Sequence, residues 1–118
     1  MYWHAETTFR LEIQTAPGLW FRLIRVTLRG YAEPGGFAAH RPFEAVGQAD
    51  LLLEDRAAFV HATLSQGGNL SRRAWKSLGL YLRDEHGIES LVMDRHGRTV
   101  EHALARLKVG EDAGALPA

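Results

Sequence analysis

The segment richest in potential chemistry is Ser65-Gln66-Gly67-Gly68-Asn69-Leu70-Ser71-Arg72-Arg73-Ala74-Trp75-Lys76, which reads as a strand end, a glycine turn and a helix start. Free amide hydrogens and the positive end of the helix dipole favour a phosphate or carboxylate there, and glycines permit close approach to the backbone. Arg72, Arg73 and Lys76 add cations where helix stability alone prefers acids, a break with the local rule in the direction an anion site needs. The candidate anion-binding residues are therefore Gly67, Gly68, Asn69, Arg72, Arg73 and Lys76. A solvated helix face with ordinary basic residues is the competing explanation.

Other chemistries find less support. The chain has 6 histidines, but none forms the His-x-x-x-His or His-Glu-x-x-His spacing that places two ligands on one helix face, so no metal site is expected. Ser65, Ser71, Ser77 and Ser90 have ordinary strand, cap, helix and loop readings, and no Gly-x-Ser-x-Gly elbow occurs. Glu54-Asp55 and Asp84-Glu85 sit at polar ends of elements. No catalytic residue is nominated. The absence of cysteine removes disulfides, thiolate metal sites and thiol nucleophiles together.

The succession of strand, Gly67-Gly68 turn, helix from Arg72 and following strand resembles the acetyl-coenzyme A binding segment of the GNAT acyltransferases over about a quarter of the chain. The resemblance implies backbone amides near Gly67, Gly68 and Asn69 meeting a pyrophosphate, and acetyl-coenzyme A as ligand. Tyr81 would lie too far along the helix to be an obvious acid. Gln66-Gly67-Gly68-Asn69-Leu70-Ser71 departs from that family's Gln/Arg-x-x-Gly-x-Gly/Ala pattern, and the helices the family places before its sheet are absent.

Surface recognition offers a different class of function. Arg22, Arg25 and Arg29 lie on one strand with Trp20 and Phe21 nearby, but Arg22 has the opposite parity to the other two and the formal net charge is +0, so nucleic acid is not expected. Apolar residues on both parities of that strand imply two covered faces, one covered by another chain. Trp3, Trp20 and Phe37 are the candidate interface anchors, with core packing as their alternative role.

These residues must be positioned by elements that the spacing defines. Phe9, Leu11 and Ile13 alternate with polar residues in a strand over 7–15, and Ala16-Pro17-Gly18 turns into a second strand over 19–31. The apolar parity changes within that second strand, which predicts a bulge near Leu23 and Ile24. A loop rich in glycine and proline over 33–42 precedes strands over 43–53 and 58–65. Ser71 caps a helix over 72–86 that carries Ala74, Trp75, Leu78, Tyr81 and Leu82 as its apolar stripe, and Gly87 ends it. A hairpin of 88–95 and 98–105 about His96-Gly97 puts Met93 opposite Val100 and Leu91 opposite His102.

The expected fold is α+β in the order ββββαββ, a mostly antiparallel sheet with one principal helix packed on one face. At 118 residues it is a single domain over 1–109 with a flexible tail over 110–118. No apolar run approaches the roughly 20 residues a membrane span needs, and the start shows no secretory pattern, so a cytoplasmic protein is expected. The function that follows is a small non-enzymatic protein-binding or adaptor domain, acting on a protein partner or on itself through exposed aromatics, the 33–42 loop and a sheet edge. The alternative is a GNAT-like acyltransferase or another domain binding a phosphate-containing ligand at the helix start.

Overall fold

A computed structural model describes residues 1–65, 68–95 and 97–107. The elements are β1 (Tyr2–Ala16), β2 (Leu19–Tyr31), β3 (Ala45–Leu52), β4 (Ala57–Ser65), α1 (Arg72–His86), β5 (Ser90–Arg95) and β6 (Arg98–Ala103), followed by a 3-10 turn, Leu104–Arg106. The strands form one sheet in sequence order, antiparallel throughout except where β4 and β5 run parallel. Two parallel neighbours need a crossover, and α1 supplies it. The architecture is thus α+β, with a mixed, mostly antiparallel sheet.

One face of this sheet carries Val26, Leu28, Ala49, Leu51, Ala58, Val60, Leu91 and Met93, which share a buried cluster with Ala74, Leu78 and Leu82 of α1. This is the core face. Side chains of opposite parity lie on the open face.

The β1–β2 hairpin is longer than the alternation predicts, because pairing reaches back to Tyr2, opposite Tyr31. Its irregularity also falls elsewhere. β2 pairs with β3 from Leu23 to Gly30 without a shift, so the bulge expected at Leu23 and Ile24 is absent from that ladder. The shift is in β1, between Thr7 and Phe9, leaving Thr8 as the extra residue opposite the Val26–Arg25 step. A single inserted residue exchanges the two faces of a strand. Trp3 and Ala5 therefore point with Gly30 and Leu28 to the core face, whereas Phe9, Leu11 and Ile13 point with Arg25, Leu23 and Phe21 to the open face.

Helix α1 starts and stops where its caps require. Ser71 Oγ accepts the Ala74 N–H at 3.1 Å, and Gly87, at φ +67°, donates its N–H to Arg83 O. Trp75 and Tyr81 are only half-buried, and Lys76 is buried in their stead. The C-terminal hairpin has the predicted register, Leu91 opposite His102 and Met93 opposite Val100. β6 stops at Ala103, two residues early, because the chain turns there to bury Leu104 and Leu107 against the helix. Gly79 makes room for them, since a Cβ there would lie 2.8 Å from Leu107 Cδ1.

Residues 32–44 fold back over the start of β1 and the end of β2. Gly36 sits on the ring of Tyr31, where a Cβ would come within 2.6 Å of Cδ1 and Cγ, and Arg41 N–H donates to Gly36 O at 2.9 Å. Gln66, Gly67, His96 and the expected 110–118 tail lie outside the described residues. Among those described, no helix is long and apolar enough to cross a membrane.

Candidate functional site

The helix start is built as the sequence implies locally, but its cations diverge. Arg72 and Arg73 are exposed, whereas Lys76 retains only 4% of its surface and lies inside the protein. Gly68, at φ +102°, closes the turn by exchanging hydrogen bonds with Ser65, whose N–H donates to Gly68 O at 2.7 Å. Asn69 is exposed and Leu70 is buried. Gly67 lies outside the described residues.

Beside this turn the sheet opens. β4 and β5 pair only over Ala57–Val60 and Ser90–Met93, although β4 continues to Ser65 and β5 to Arg95. The gap is a cleft of about 280 Å³ lined by Val60, His61, Thr63, Asn69, Trp75 and Asp94, among others. Its carboxylate, Asp94, accepts a hydrogen bond from Thr99 Oγ1 at 2.9 Å and opposes an anionic ligand. Arg73 lines a separate depression with Met1, Ala32, Glu44, Ser71 and Ala74. The structure thus brings Asn69 to the cleft and sends Arg73 elsewhere.

The three aromatic candidates also separate. Trp3 is 8% exposed, and its Nε1–H donates to Ser77 Oγ at 2.9 Å, so it anchors β1 to α1 from inside. Burial beneath the helix takes it out of any surface of the isolated chain. Phe37 stacks on His4, with centroids 3.5 Å apart and planes 6° from parallel, which pins the 32–44 segment to the open face. Trp20 remains exposed near the hairpin tip.

Trp20 belongs to a larger feature. β3 begins to pair with β2 only at Leu23, so the outer part of the β1–β2 hairpin, residues 9–23, forms an arm whose tip, residues 19–22 and their β1 partners, extends beyond the rest of the sheet. Its open face carries Phe9, Leu11, Ile13, Phe21 and Leu23, continued by Leu52 opposite Leu23. Phe9 and Ile13 are 49% and 46% exposed. Contiguous apolar surface of this kind on a folded chain marks a contact site more often than an accident of composition. The parity switch in β2 is its mark in the sequence, and the Thr8 bulge brings the apolar residues of β1 to the same side.

Where the arm joins the main sheet, the open face becomes polar. Asp50 Oδ1 accepts Arg25 Nε–H at 2.7 Å and Oδ2 accepts Nη2–H at 3.0 Å, and His61 Nε2 lies 2.6 Å from the same Oδ2. The Arg25 hydrogen bonds hold the Asp50 carboxyl below its ordinary range, against the opposing effect of burial and with help from His61. Asp50 thereby raises the Arg25 guanidinium in turn. His61 is brought to Asp50 by a bulge in β4, opposite Gln48 and Ala49, and the Phe59 ring leans on it at 5.0 Å. The group ties β2, β3 and β4 together. Asp50 is 7% exposed because it lies opposite Arg25 in the β2–β3 ladder, a pairing that the sequence pattern does not reveal.

At the other end of β1, the Ala5 N–H donates to Tyr81 Oη at 3.0 Å, and the Tyr81 hydroxyl lies 3.0 Å from His86 Nε2. Burial raises the Tyr81 phenol and lowers the His86 imidazole, so both favour their neutral forms. Among the described residues, no group of three His, Asp or Glu side chains could hold a metal ion.

Comparison with known proteins finds no matching family model and no significant match among curated proteins or solved structures.

Proposed function

We propose that the chain is a non-enzymatic protein-binding module whose contact surface is the open face of the β1–β2 arm. The observation that carries this reading is the apolar row Phe9, Leu11, Ile13, Phe21 and Leu23, which the Thr8 bulge assembles on one face outside the buried core. Exposing aromatic and aliphatic side chains in a row opposes solubility, and covering them with a partner relieves it. A cysteine-free chain suits a reducing cytoplasm, where we place its action. A photo-reactive residue at position 21 is expected to cross-link the bound protein, and one at exposed Glu89 is not. Phe9→Asp should abolish the cross-link while the circular dichroism spectrum stays native; capture that survives Phe9→Asp would remove the arm from the contact.

A second reading places a phosphate-containing ligand such as acetyl-coenzyme A in the cleft between β4 and β5. It is favoured by the parallel strands that part beside a capped helix start. It is opposed by Asp94 in the lining and by the burial of Lys76. A saturable rise in melting temperature with acetyl-coenzyme A, lost in Arg72→Glu, would establish it. No shift at millimolar ligand would eliminate it.

A further inference from the structure

We infer that the arm pairs with the arm of a second copy of this chain, β1 against β1 in antiparallel register about Leu11, so that two sheets join into one. The inference rests on the arm being a contact region and adds its edge: the second copy pairs along β1, and the merged open faces remain for the partner.

β1 is an edge strand of 15 residues that pairs with β2 alone. An edge of that length presents backbone donors and acceptors to any strand that fits beside it. Near the start of β1 this edge is occupied, because Tyr81 Oη takes the Ala5 N–H. The stretch between the two irregularities of β1, Phe9 to Gln14, is regular.

That stretch complements itself. A two-fold axis through Leu11, perpendicular to the sheet, places Phe9 opposite Ile13 of the second copy on the open face and Arg10 opposite Glu12 on the other. Neither Arg10 nor Glu12 forms an ion pair among the described residues; the neighbouring Arg22 is taken by Glu54 at 2.6 Å. Both side chains are exposed, although Glu12 also lies opposite Arg22 and contributes to raising its guanidinium. Slipping the register by two residues in either direction sets Arg10 against Arg10 or Glu12 against Glu12, and like charges directly opposite are unfavourable. Slipping by one turns apolar side chains against polar ones. The register about Leu11 alone satisfies both faces. It also ends where it must: Ala5 comes opposite Pro17 of the second copy, so the added strand turns away where Tyr81 begins to cover the edge. The open faces of the two arms then lie side by side, and the Phe9, Leu11 and Ile13 rows merge into one apolar surface.

The chain contains no cysteine, so a single introduced thiol reports its own position. Leu11→Cys is expected to form an intermolecular disulfide under mild oxidation, since directly opposed Cβ atoms lie about 4.5–5.5 Å apart. Phe9→Cys is expected not to, because the two thiols would sit roughly 13 Å apart at the strand rise of about 3.4 Å per residue. Arg10→Glu and Glu12→Arg, each alone, should weaken dimerisation in sedimentation velocity by about tenfold or more, each setting two like pairs face to face. Mixed in equal amounts, those two variants should associate with each other more tightly than either does with itself. The exposed positions leave folding intact, which circular dichroism checks. A wild-type chain that stays monomeric at about 100 µM, an affinity weaker than roughly −5.5 kcal/mol by the standard conversion, overturns the inference. So does equal cross-linking at positions 9 and 11. Retained photo-capture of a different protein at position 21 alongside either result would leave the arm as a contact surface and remove only the second copy.

Discussion

The two halves of strand β2 follow opposite rules. From Ile24 to Tyr31 its even-numbered residues, Val26, Leu28 and Gly30, face the core and are buried, while Arg25, Thr27 and Arg29 face outward. From Leu19 to Leu23 the apolar side chains of Phe21 and Leu23 are odd-numbered and look out from the open face, at and beyond the end of β3, while Trp20 lies exposed on the other face. Strand geometry is continuous between them, and what changes is the cover. The inner half serves the fold, whereas the outer half leaves its apolar side chains uncovered. A parity switch in a strand therefore signals a change in what lies against it as readily as a bulge within it.

Core truncation should separate the two halves most sharply. Leu28→Ala removes a fully buried side chain and should cost about 2–5 kcal/mol in urea unfolding, whereas Phe21→Ala, on the arm, should stay within about 1 kcal/mol. Equal costs would mean that the arm belongs to the core.

The junction between the halves is held by Asp50, and its contribution depends on pH. A carboxyl held below its ordinary range by Arg25 contributes stability above the unfolded value, near pH 4, and loses it as pH falls through the folded value. Asp50→Asn is expected to lower stability by about 1 kcal/mol at neutral pH, the low end for a buried hydrogen-bonded group because Arg25 stays partly solvated, and to converge with wild type in acid. A constant difference across the acid limb would assign the effect to packing.

The smallest effect is expected from Arg22→Gln on the arm itself. Glu54 raises the Arg22 guanidinium, but both side chains are solvent-exposed, so unfolding should be unchanged within error at physiological salt. A measurable loss there would show that the arm is stabilised from within.

The elements with strong local signals were legible in the sequence. β2 runs from Leu19 to Tyr31 and α1 from Arg72 to His86 as the spacing predicts, because a proline-glycine turn, a serine cap and a terminal glycine each fix a boundary through their own backbone chemistry. The register of the C-terminal hairpin followed from its two-residue turn. Features decided by tertiary contact were not legible. The bulge settled at Thr8 in β1, since either strand of a pair can absorb the extra residue. Trp3 and Phe37 read alike as aromatics, yet the helix buries one and a histidine ring stacks on the other. Lys76 falls on the inward side of a helix whose polar and apolar residues are closely interleaved. The apolar row of the arm is half visible, because alternation groups Phe9, Leu11 and Ile13 on one face, whereas the Thr8 bulge decides which face of the sheet that is.

Residue-resolved amide hydrogen exchange across the β1–β2 hairpin tests the central claim most directly, since exchange reports local opening along a single pair of strands. In dilute protein, amides of residues 9–22 should exchange at least tenfold faster than those of 24–31, and raising the concentration should slow residues 9–13 selectively. Uniform protection along the whole hairpin, the same at every concentration, would contradict the account by making the arm part of the folded core with nothing left to bind.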